Sequence, residues 1–244
     1  MSHFRIPFLS CLFALVLLTA SSARADAPNE TFYQSREEIS DESLRNIIGI
    51  AFISSMTGPD QQPTGDVPLF VAKGEGFEPD GESALKELGP VSGWDYDLQS
   101  LRKFPVLEKR GDYLHVVIDV RTNERAWVHL GEEFGEDPRV EFRSFDSKEW
   151  AWMGVELFFL SPEGKTRLFG APRPESRAHP LSPLQPARRN GEVVYEPRIL
   201  STHGNFLQLG ELISLDDPLA PIGWVPISDE NGLLLIWPVF APMC

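Results

Sequence analysis

Apolar and polar positions alternate along two stretches of the chain, and the two stretches share one pattern. The first covers residues 106–116 and the second covers residues 199–209, at a constant offset of 93 positions. Each contains two apolar residues, a polar spacer, Gly-Asp or Gly-Asn, an aromatic residue and then an alternating run. Alternation with a period of two is typical of a strand with one buried face. Each stretch therefore predicts two strands joined by a tight turn.

Both stretches are followed by a Trp-Val pair, which extends the repeat to a third strand. The pairs are Trp127-Val128 and Trp224-Val225, and the loop before the second is four residues longer. Duplicated β units tolerate such insertions in their loops. Gly111 and Gly204 lie where the turn needs a positive φ, and the Asp or Asn beside each glycine supports the turn.

The segment before the first repeat predicts a helix. Leu44, Ile47 and Ile48 share one helical face, acidic residues precede them, and Gly49 interrupts the pattern. The apolar run at 50–53 fits either a last helical turn or a strand. A Gly/Pro-rich stretch at 58–65 predicts a linker.

These patterns divide the chain into successive parts. We predict a signal peptide at 1–25 and an N-terminal helical segment with its linker at 26–66. A first β domain follows at 67–131, a connector that packs between the repeats at 132–165, and a second β domain at 166–240.

The first 25 residues have the composition of an export signal. Arg5 is basic, residues 8–18 are apolar, and Ala23-Arg24-Ala25 is a small-x-small cleavage site. The apolar run is shorter than the roughly 20 residues that span a bilayer, so an uncleaved anchor is the less favoured alternative. We expect a periplasmic or secreted protein that is cleaved after Ala25 and has no stable membrane insertion afterwards.

Charge and cysteine content narrow the function classes. The net charge is −14, whereas nucleic acids and anionic membrane surfaces attract basic patches, so neither is an expected partner. Cys11 lies within the export signal, which leaves Cys244. The mature chain is therefore expected to have no intramolecular disulfide.

The repeated residues resemble the bacterial SH3-like domain, often called SH3b, present twice. That family has a strand, a Gly-Asp-aromatic turn, a β-hairpin and a Gly-Trp-Val segment, which match 106–116 with 126–130 and 199–209 with 223–227. Ala126 departs from the family's glycine before tryptophan. The resemblance implies a mainly β fold with two small SH3-like barrels in tandem, beside the N-terminal helical segment. It also implies a binding module.

Catalytic motifs are weak by comparison. The sequence has no glycine-rich phosphate loop after a strand, no His-Glu-x-x-His helix and no Gly-x-Ser-x-Gly elbow. The acidic runs at 75–82 and 132–137 lie in Gly/Pro-rich stretches interpreted as solvated loops, and neither fits the ligand spacing of a calcium loop. Histidines at 115, 129, 179 and 203 are not clustered in sequence. We therefore expect no enzyme activity, no metal and no cofactor.

Aromatic residues beside acidic ones are the better candidates for a site. Flat rings bury apolar area while carboxylates attract cations, which suits a proline-rich or basic peptide. The candidate ligand-binding residues are Trp94, Tyr96, Tyr113, Trp127, Glu78 and Asp80. For Trp127 and Trp224 a place in the core or at its rim is favoured over ligand contact, because tryptophan is more often part of the packing. The predicted function is a binding or adaptor protein for a peptide, a cell-wall component or an envelope protein. Two alternatives are a structural subunit of an envelope assembly and, less favoured, an enzyme with an unrecognised site.

Overall fold

Antiparallel β-structure dominates the protein, which confirms the mainly β prediction. The computed structural model describes residues 38–56, 65–91, 101–131, 138–151, 155–159, 167–176, 178–180, 187–189, 192–194, 198–211 and 220–240. These residues form two seven-stranded sheets and one two-stranded hairpin.

The first sheet contains strands from residue 49 to residue 144. Its strands are β1 (Gly49–Ser54), β2 (Asp66–Lys73), β3 (Gly76–Ala84), β4 (Leu101–Arg110), β5 (Tyr113–Asp119), β6 (Glu124–His129) and β7 (Arg139–Ser144). They lie in the order β3-β2-β6-β5-β4-β1-β7. Two short 3-10 helices accompany them, Asp41–Leu44 before β1 and Leu85–Glu87 after β3.

The second sheet is built from strands that lie between residues 155 and 240. Its strands are β8 (Val155–Phe159), β9 (Arg167–Phe169), β10 (Ala178–Pro180), β13 (Arg198–His203), β14 (Phe206–Glu211), β15 (Ala220–Pro226) and β16 (Ile236–Phe240). Their order is β10-β9-β15-β14-β13-β8-β16. A separate hairpin joins β11 (Ala187–Arg189) to β12 (Glu192–Val194), and a 3-10 helix, Lys148–Ala151, precedes β8.

The two sheets have the same strand order once β11 and β12 are set aside. When the strands of each sheet are counted in sequence order, the first lies between the fourth and the seventh in both sheets. The second lies between the third and the sixth. The predicted turns also recur, with φ of 59° at Gly111 and 55° at Gly204. Both fourth strands carry a bulge two residues into the repeated pattern, at Leu107 and Leu200. The repeat in the sequence thus corresponds to a repeat in topology.

Each sheet also turns back towards itself at one point. The chain after β6 meets β7 at a bridge between Gly131 and Val140, with both N···O distances 3.1 Å. An equivalent bridge joins Ser228 to Leu234 in the second half. Among the described residues each contact is an isolated bridge and not a ladder.

Two apolar cores follow from the two faces of the first sheet. Its inner face encloses one core formed within the first half alone, including Ile53, Phe104 and Val116. Its outer face packs partly on the second half to form a second core, which we term the seam. The seam includes Ile50, Phe52, Val117, Phe145, Trp150, Ile199, Leu207, Leu209, Ile236 and Trp237.

Backbone hydrogen bonds also join the residues just before β1 to the second half. The Asn46 amide donates to the carbonyl of Gly232 at 2.8 Å, and the Leu234 amide donates to the carbonyl of Leu44 at 2.9 Å. The segment before β1 is therefore held to the second half by hydrogen bonds as well as by apolar packing.

The prediction of an N-terminal helix is wrong for the described part of that segment. The only helical element in residues 38–56 is the 3-10 helix Asp41–Leu44, and Gly49–Ser54 is an interior strand. Strand β1 has the inner core on one side and the seam on the other, so it is apolar at successive positions. A continuous apolar run is typical of a strand buried on both faces.

The predicted boundaries at 67–131 differ from the limits of the first sheet. Strand β1 comes from the segment before them and β7 comes from the predicted connector. The rest of the connector contributes Phe145 and Trp150 to the seam and β8 to the second sheet. The signal peptide lies outside the described residues. Within the described ranges, no helix is long and apolar enough to cross a membrane.

Candidate functional site

The outer face of the first sheet carries a group of rings beside the part that the seam covers. Alternation along β5 and β6 directs Leu114 and Val128 into the inner core, so their neighbours lie on the opposite face. We call this group the aromatic cluster; its members are Phe70, Phe77, Tyr113, His115, Trp127 and His129.

Tyr113 lies at the centre of the cluster. Its ring stacks on Phe77 with centroids 3.9 Å apart and planes at 16°. Phe70 and His129 meet it edge-on, at centroid distances of 5.1 and 4.9 Å. Edge-to-face and stacked contacts are both favourable arrangements for aromatic pairs. Tyr113, Phe70 and Phe77 are half-buried, so these rings also present area to solvent.

Trp127 forms the base of the cluster. It is only 7% exposed. Its ring is nearly parallel to that of His115, with centroids 4.9 Å apart and planes at 10°. Phe77 covers another side of the indole at 4.8 Å. Trp127 therefore supports the other rings and contributes little surface of its own.

Arg110, the last residue of β4, covers two of the rings. Its guanidinium carbon lies 5.0 Å from the centroid of Trp127 and 5.7 Å from that of Phe77, which is cation–π distance. Its Nη2 also lies 3.0 Å from an oxygen of Glu108. The cation position over these two rings is thus already filled by the chain itself.

The acidic stretch beside the cluster is a strand, although its composition predicts a loop. Residues 76–84 form β3, which pairs along its length with β2 after a turn at Gly74 with φ of 62°. Glu78 is exposed and lies 2.8 Å from the ammonium of Lys73. Asp80 is exposed at the bulge where the register shifts. Both carboxylates therefore lie on the edge strand next to the rings.

An apolar pocket adjoins the cluster where β2 parts from β6. The two strands pair at a single position, Phe70 with Trp127. Beyond that position the strands leave a space of about 340 Å³. The described residues that line it are Val67, Pro68, Phe70, Val128, His129, Gly131, Pro138 and Val140. Phe70 and His129 belong to both the pocket and the cluster, whereas Val67, Val128 and Val140 belong to the inner core. The pocket therefore extends from the edge of the cluster, between the strands, towards that core.

The structure brings together four of the six predicted ligand-binding residues. Tyr113 and Trp127 belong to the cluster, and Glu78 and Asp80 lie on β3 beside it. Trp94 and Tyr96 lie outside the described residues. Sequence reasoning missed Phe70, Phe77 and the pocket. The signal that could have found Phe70 is the Leu-Phe pair that recurs as Leu168-Phe169 in the second half.

The second sheet has a reduced counterpart of the cluster. Phe169 pairs with Trp224 as Phe70 does with Trp127. Phe169 and Phe206 meet edge-on at 5.7 Å, and His203 lies 6.4 Å from Trp224. Phe206 occupies the position equivalent to Tyr113. Its ring is buried and carries no hydroxyl. The first sheet is therefore the more accessible at the tyrosine position, whereas Trp224 of the second sheet is half-buried where Trp127 is buried.

Protonation of His115 should destabilise the protein. Burial lowers the pKa of His115 below its ordinary value of 6.5, and Arg125 and Arg110 lower it further, against an opposing effect of Glu108. The folded chain thus binds this proton less readily than the unfolded chain does. The contribution of neutral His115 to the free energy of unfolding is fully present above about pH 6.5. It is lost as the pH falls through the lowered pKa of His115 in the folded state.

We therefore expect unfolding in urea to need less denaturant at about pH 5.5 than at about pH 7.5. His115→Gln should reduce that difference, because the substituted side chain cannot titrate. His129→Gln on the exposed side of the cluster is the control, since it leaves His115 in place. An unchanged pH difference in His115→Gln would contradict the assignment.

Compared with known proteins, the chain matches no family model, and neither a curated protein nor a solved structure matches it.

Proposed function

We propose that this is an exported, non-enzymatic binding or adaptor protein that engages a peptide, a cell-wall component or another envelope protein through the aromatic cluster. The observation that supports it most is a set of half-buried rings that adjoins an apolar pocket of about 340 Å³ and shares Phe70 with it. Ligand sites are commonly concave, apolar and partly aromatic. The predicted export signal supports a location in the periplasm or outside the cell.

We further propose that the two halves are SH3-like domains in tandem. The shared strand order and the equivalent turns support a duplicated unit. The bridges from Gly131 to Val140 and from Ser228 to Leu234 support a barrel-like curvature in each half. The Gly-Asp-Tyr and Gly-Asn-Phe turns carry the family resemblance at equivalent places in the two sheets.

The geometry favours an uncharged apolar group as the anchor of the ligand. Arg110 already occupies the faces of Trp127 and Phe77. The accessible ring area is therefore that of Tyr113 and Phe70, which leads into the pocket. A prolyl ring or an aliphatic side chain fits such a surface without leaving polar groups unpaired. The carboxylates on β3 then attract basic residues that flank the anchor.

Retention on purified cell wall and on immobilised envelope extract tests the proposal. Mature protein should be retained by one of them, and Tyr113→Ala should weaken retention by roughly tenfold or more, as expected for an aromatic anchor. Tyr113→Phe keeps the ring and should bind as the unsubstituted protein does. Ile48→Ala changes an apolar residue that is 42% exposed elsewhere and should have no effect.

Two results would argue against the proposal. Equal retention of Tyr113→Ala and unsubstituted protein would show that the aromatic cluster does not take part in binding. Recovery of one stoichiometric partner that is insensitive to Tyr113 would favour the structural-subunit alternative.

A further inference from the structure

The second sheet carries a row of four side chains that crosses four strands in register. Ser201 of β13 lies opposite Gln208 of β14, and Gln208 lies opposite Trp224 of β15. Trp224 in turn lies opposite Phe169 of β9. Gln208 alternates along β14 with two residues of the seam, so the row lies on the other face of the sheet. None of the four side chains carries a charge, and we call them the neutral row.

The equivalent row of the first sheet contains an acid and is covered by a base. It consists of Glu108, His115, Trp127 and Phe70, paired in the same way. His115 stacks on the indole of Trp127, and the guanidinium of Arg110 lies 5.0 Å from the indole centroid. Trp127 is only 7% exposed as a result. The first row therefore leaves little indole area for a ligand.

Trp224 is more accessible because different residues stand at the covering positions. At the offset of 93, Gln208 takes the place of His115 and His203 takes the place of Arg110. The ring of His203 lies 6.4 Å from that of Trp224 at an interplanar angle of 75°, so the two rings do not stack. Among the described residues no cationic side chain lies over Trp224, which is half-buried. Part of this indole is thus free to meet a ligand.

The polar members of the neutral row keep hydrogen-bonding capacity beside the indole. The hydroxyl of Ser201 donates to Oε1 of Gln208 at 2.9 Å, which orients the amide. The Nε2 group of Gln208 carries two N–H donors, and it has no partner within the described part of the chain. Both side chains are half-buried, so they are partly accessible to solvent. The row therefore combines an aromatic ring with an oriented, uncharged donor.

This combination fits one ring of a neutral sugar. A pyranose ring has an apolar face of C–H groups that can stack on an indole, and hydroxyls at its rim that accept from an amide. A cation is disfavoured, because Ser201 stands where Glu108 pairs with Arg110 in the first sheet. An anion is disfavoured, because the row contains no base and the chain has a net charge of −14.

We propose that the neutral row binds a neutral saccharide, with one pyranose ring stacked on Trp224 and a sugar hydroxyl accepting a hydrogen bond from the amide of Gln208. This site shares no residue with the aromatic cluster and goes beyond the proposed function. Because no charged side chain belongs to the row, added salt has little effect on binding.

Two neutral tetrasaccharides are the probes, chitotetraose with N-acetyl groups and cellotetraose without them. Titrated into the ¹⁵N-labelled full mature protein, at least one should shift the indole N–H resonance of Trp224, which is identified by its loss in Trp224→Phe. Isothermal titration calorimetry then measures Kd. Trp224→Ala should weaken binding by roughly tenfold or more, as expected for an aromatic anchor. A change in salt concentration should leave Kd unchanged.

Gln208→Glu is the matched variant for the polar contact. It keeps the shape of the side chain and the indole but removes both N–H donors, so binding should weaken by roughly fivefold. This variant tests the site independently of any loss of stability in Trp224→Ala. Tyr113→Ala is the control, because it changes the aromatic cluster of the first sheet and should leave saccharide binding unchanged.

Several results would overturn the proposal. Neither tetrasaccharide binds, or both Trp224→Ala and Gln208→Glu bind as the unsubstituted protein does. A shift of the Trp224 resonance by N-acetyl-arginine amide, and not by the saccharides, would assign the row to a cation instead. Saccharide binding that depends on Tyr113 and not on Trp224 would place the sugar on the aromatic cluster.

Failure of this site is distinguishable from failure of the proposed function. If the neutral row binds no saccharide while Tyr113-dependent retention on cell wall or envelope extract persists, the proposed function stands without this inference. If that retention is absent while Trp224-dependent saccharide binding is found, the neutral row stands and the proposed role of the aromatic cluster is wrong.

Discussion

Replacing Trp150 with alanine is expected to lower the free energy of unfolding by about 3–5 kcal/mol. Trp150 is 1% exposed in the seam, with its ring centroid 6.1 Å from that of Phe52 and 6.4 Å from that of Phe145. Its indole N–H donates to the carbonyl of Ser144 at 2.8 Å. The substitution leaves a large cavity between the two halves. Domains are typically stable by only about 5–15 kcal/mol, so the effect is a large share of the total.

Equilibrium unfolding in urea, followed by circular dichroism, measures this change. The seam contains residues of both sheets, so unfolding should remain a single transition that moves to lower urea. Trp150→Phe is the matched variant, because it keeps a ring in the seam and removes the hydrogen bond; a smaller loss is expected. Two separate transitions, of which Trp150→Ala moves only one, would show that the sheets unfold independently.

Replacing Gly49 with alanine is expected to destabilise the protein by about 1–3 kcal/mol or more, as overpacking in a close-packed interior does. Gly49 lies on β1 opposite Val106 of β4 and Ser144 of β7. An added methyl group would lie 2.7 Å from a ring carbon of Phe142 and 2.8 Å from Cα of Ser144, and would also clash with the carbonyl of Arg143. Because two of these groups are backbone, β7 itself must move away from β1.

Gly76→Ala provides the control for this substitution. Gly76 lies at the start of edge strand β3, and an added methyl group would have its nearest neighbour, the carbonyl of Lys73, at 3.9 Å. Because 3.9 Å is an ordinary van der Waals distance, we expect little change in the urea midpoint. A small rise in the midpoint is also consistent, because alanine reduces the conformational freedom of the unfolded chain. Equal loss of stability in both variants would mean that the close approach of β7 to Gly49 is not the cause.

The hairpins of both halves could be predicted because their signals are local. Alternation along 113–118 places one face in the inner core, and glycine at 111 and 204 provides the positive φ of each turn. The run at 50–53 could not be assigned to a strand over a helical turn, because β1 is buried on both faces and alternation is absent from its sequence. Which strands flank β1 is decided by residues 47 to 95 positions away, and no local pattern contains that information.

The candidate site could be predicted only in part, for a similar reason. Tyr113 and Trp127 stand out because the repeat marks their positions. Phe77 lies among acids, glycines and a proline, a composition that indicates a loop, yet pairing with β2 makes it a strand residue. The pocket exists because β2 and β6 separate beyond one pair, and that separation depends on the register of two distant strands.

The identical strand order of the two sheets also creates a hazard during folding. In each half the first strand must enter between the fourth and the seventh, so β1 and β8 are topologically interchangeable. Repeated units of this kind are prone to strand exchange within a chain or between chains. The divergence between Gly49-Ile50-Ala51-Phe52 of β1 and Val155-Glu156-Leu157-Phe158 of β8 opposes such exchange. Only the strand that begins with glycine fits the narrow approach of β7, so the close packing at Gly49 also selects the correct partner as the chain folds.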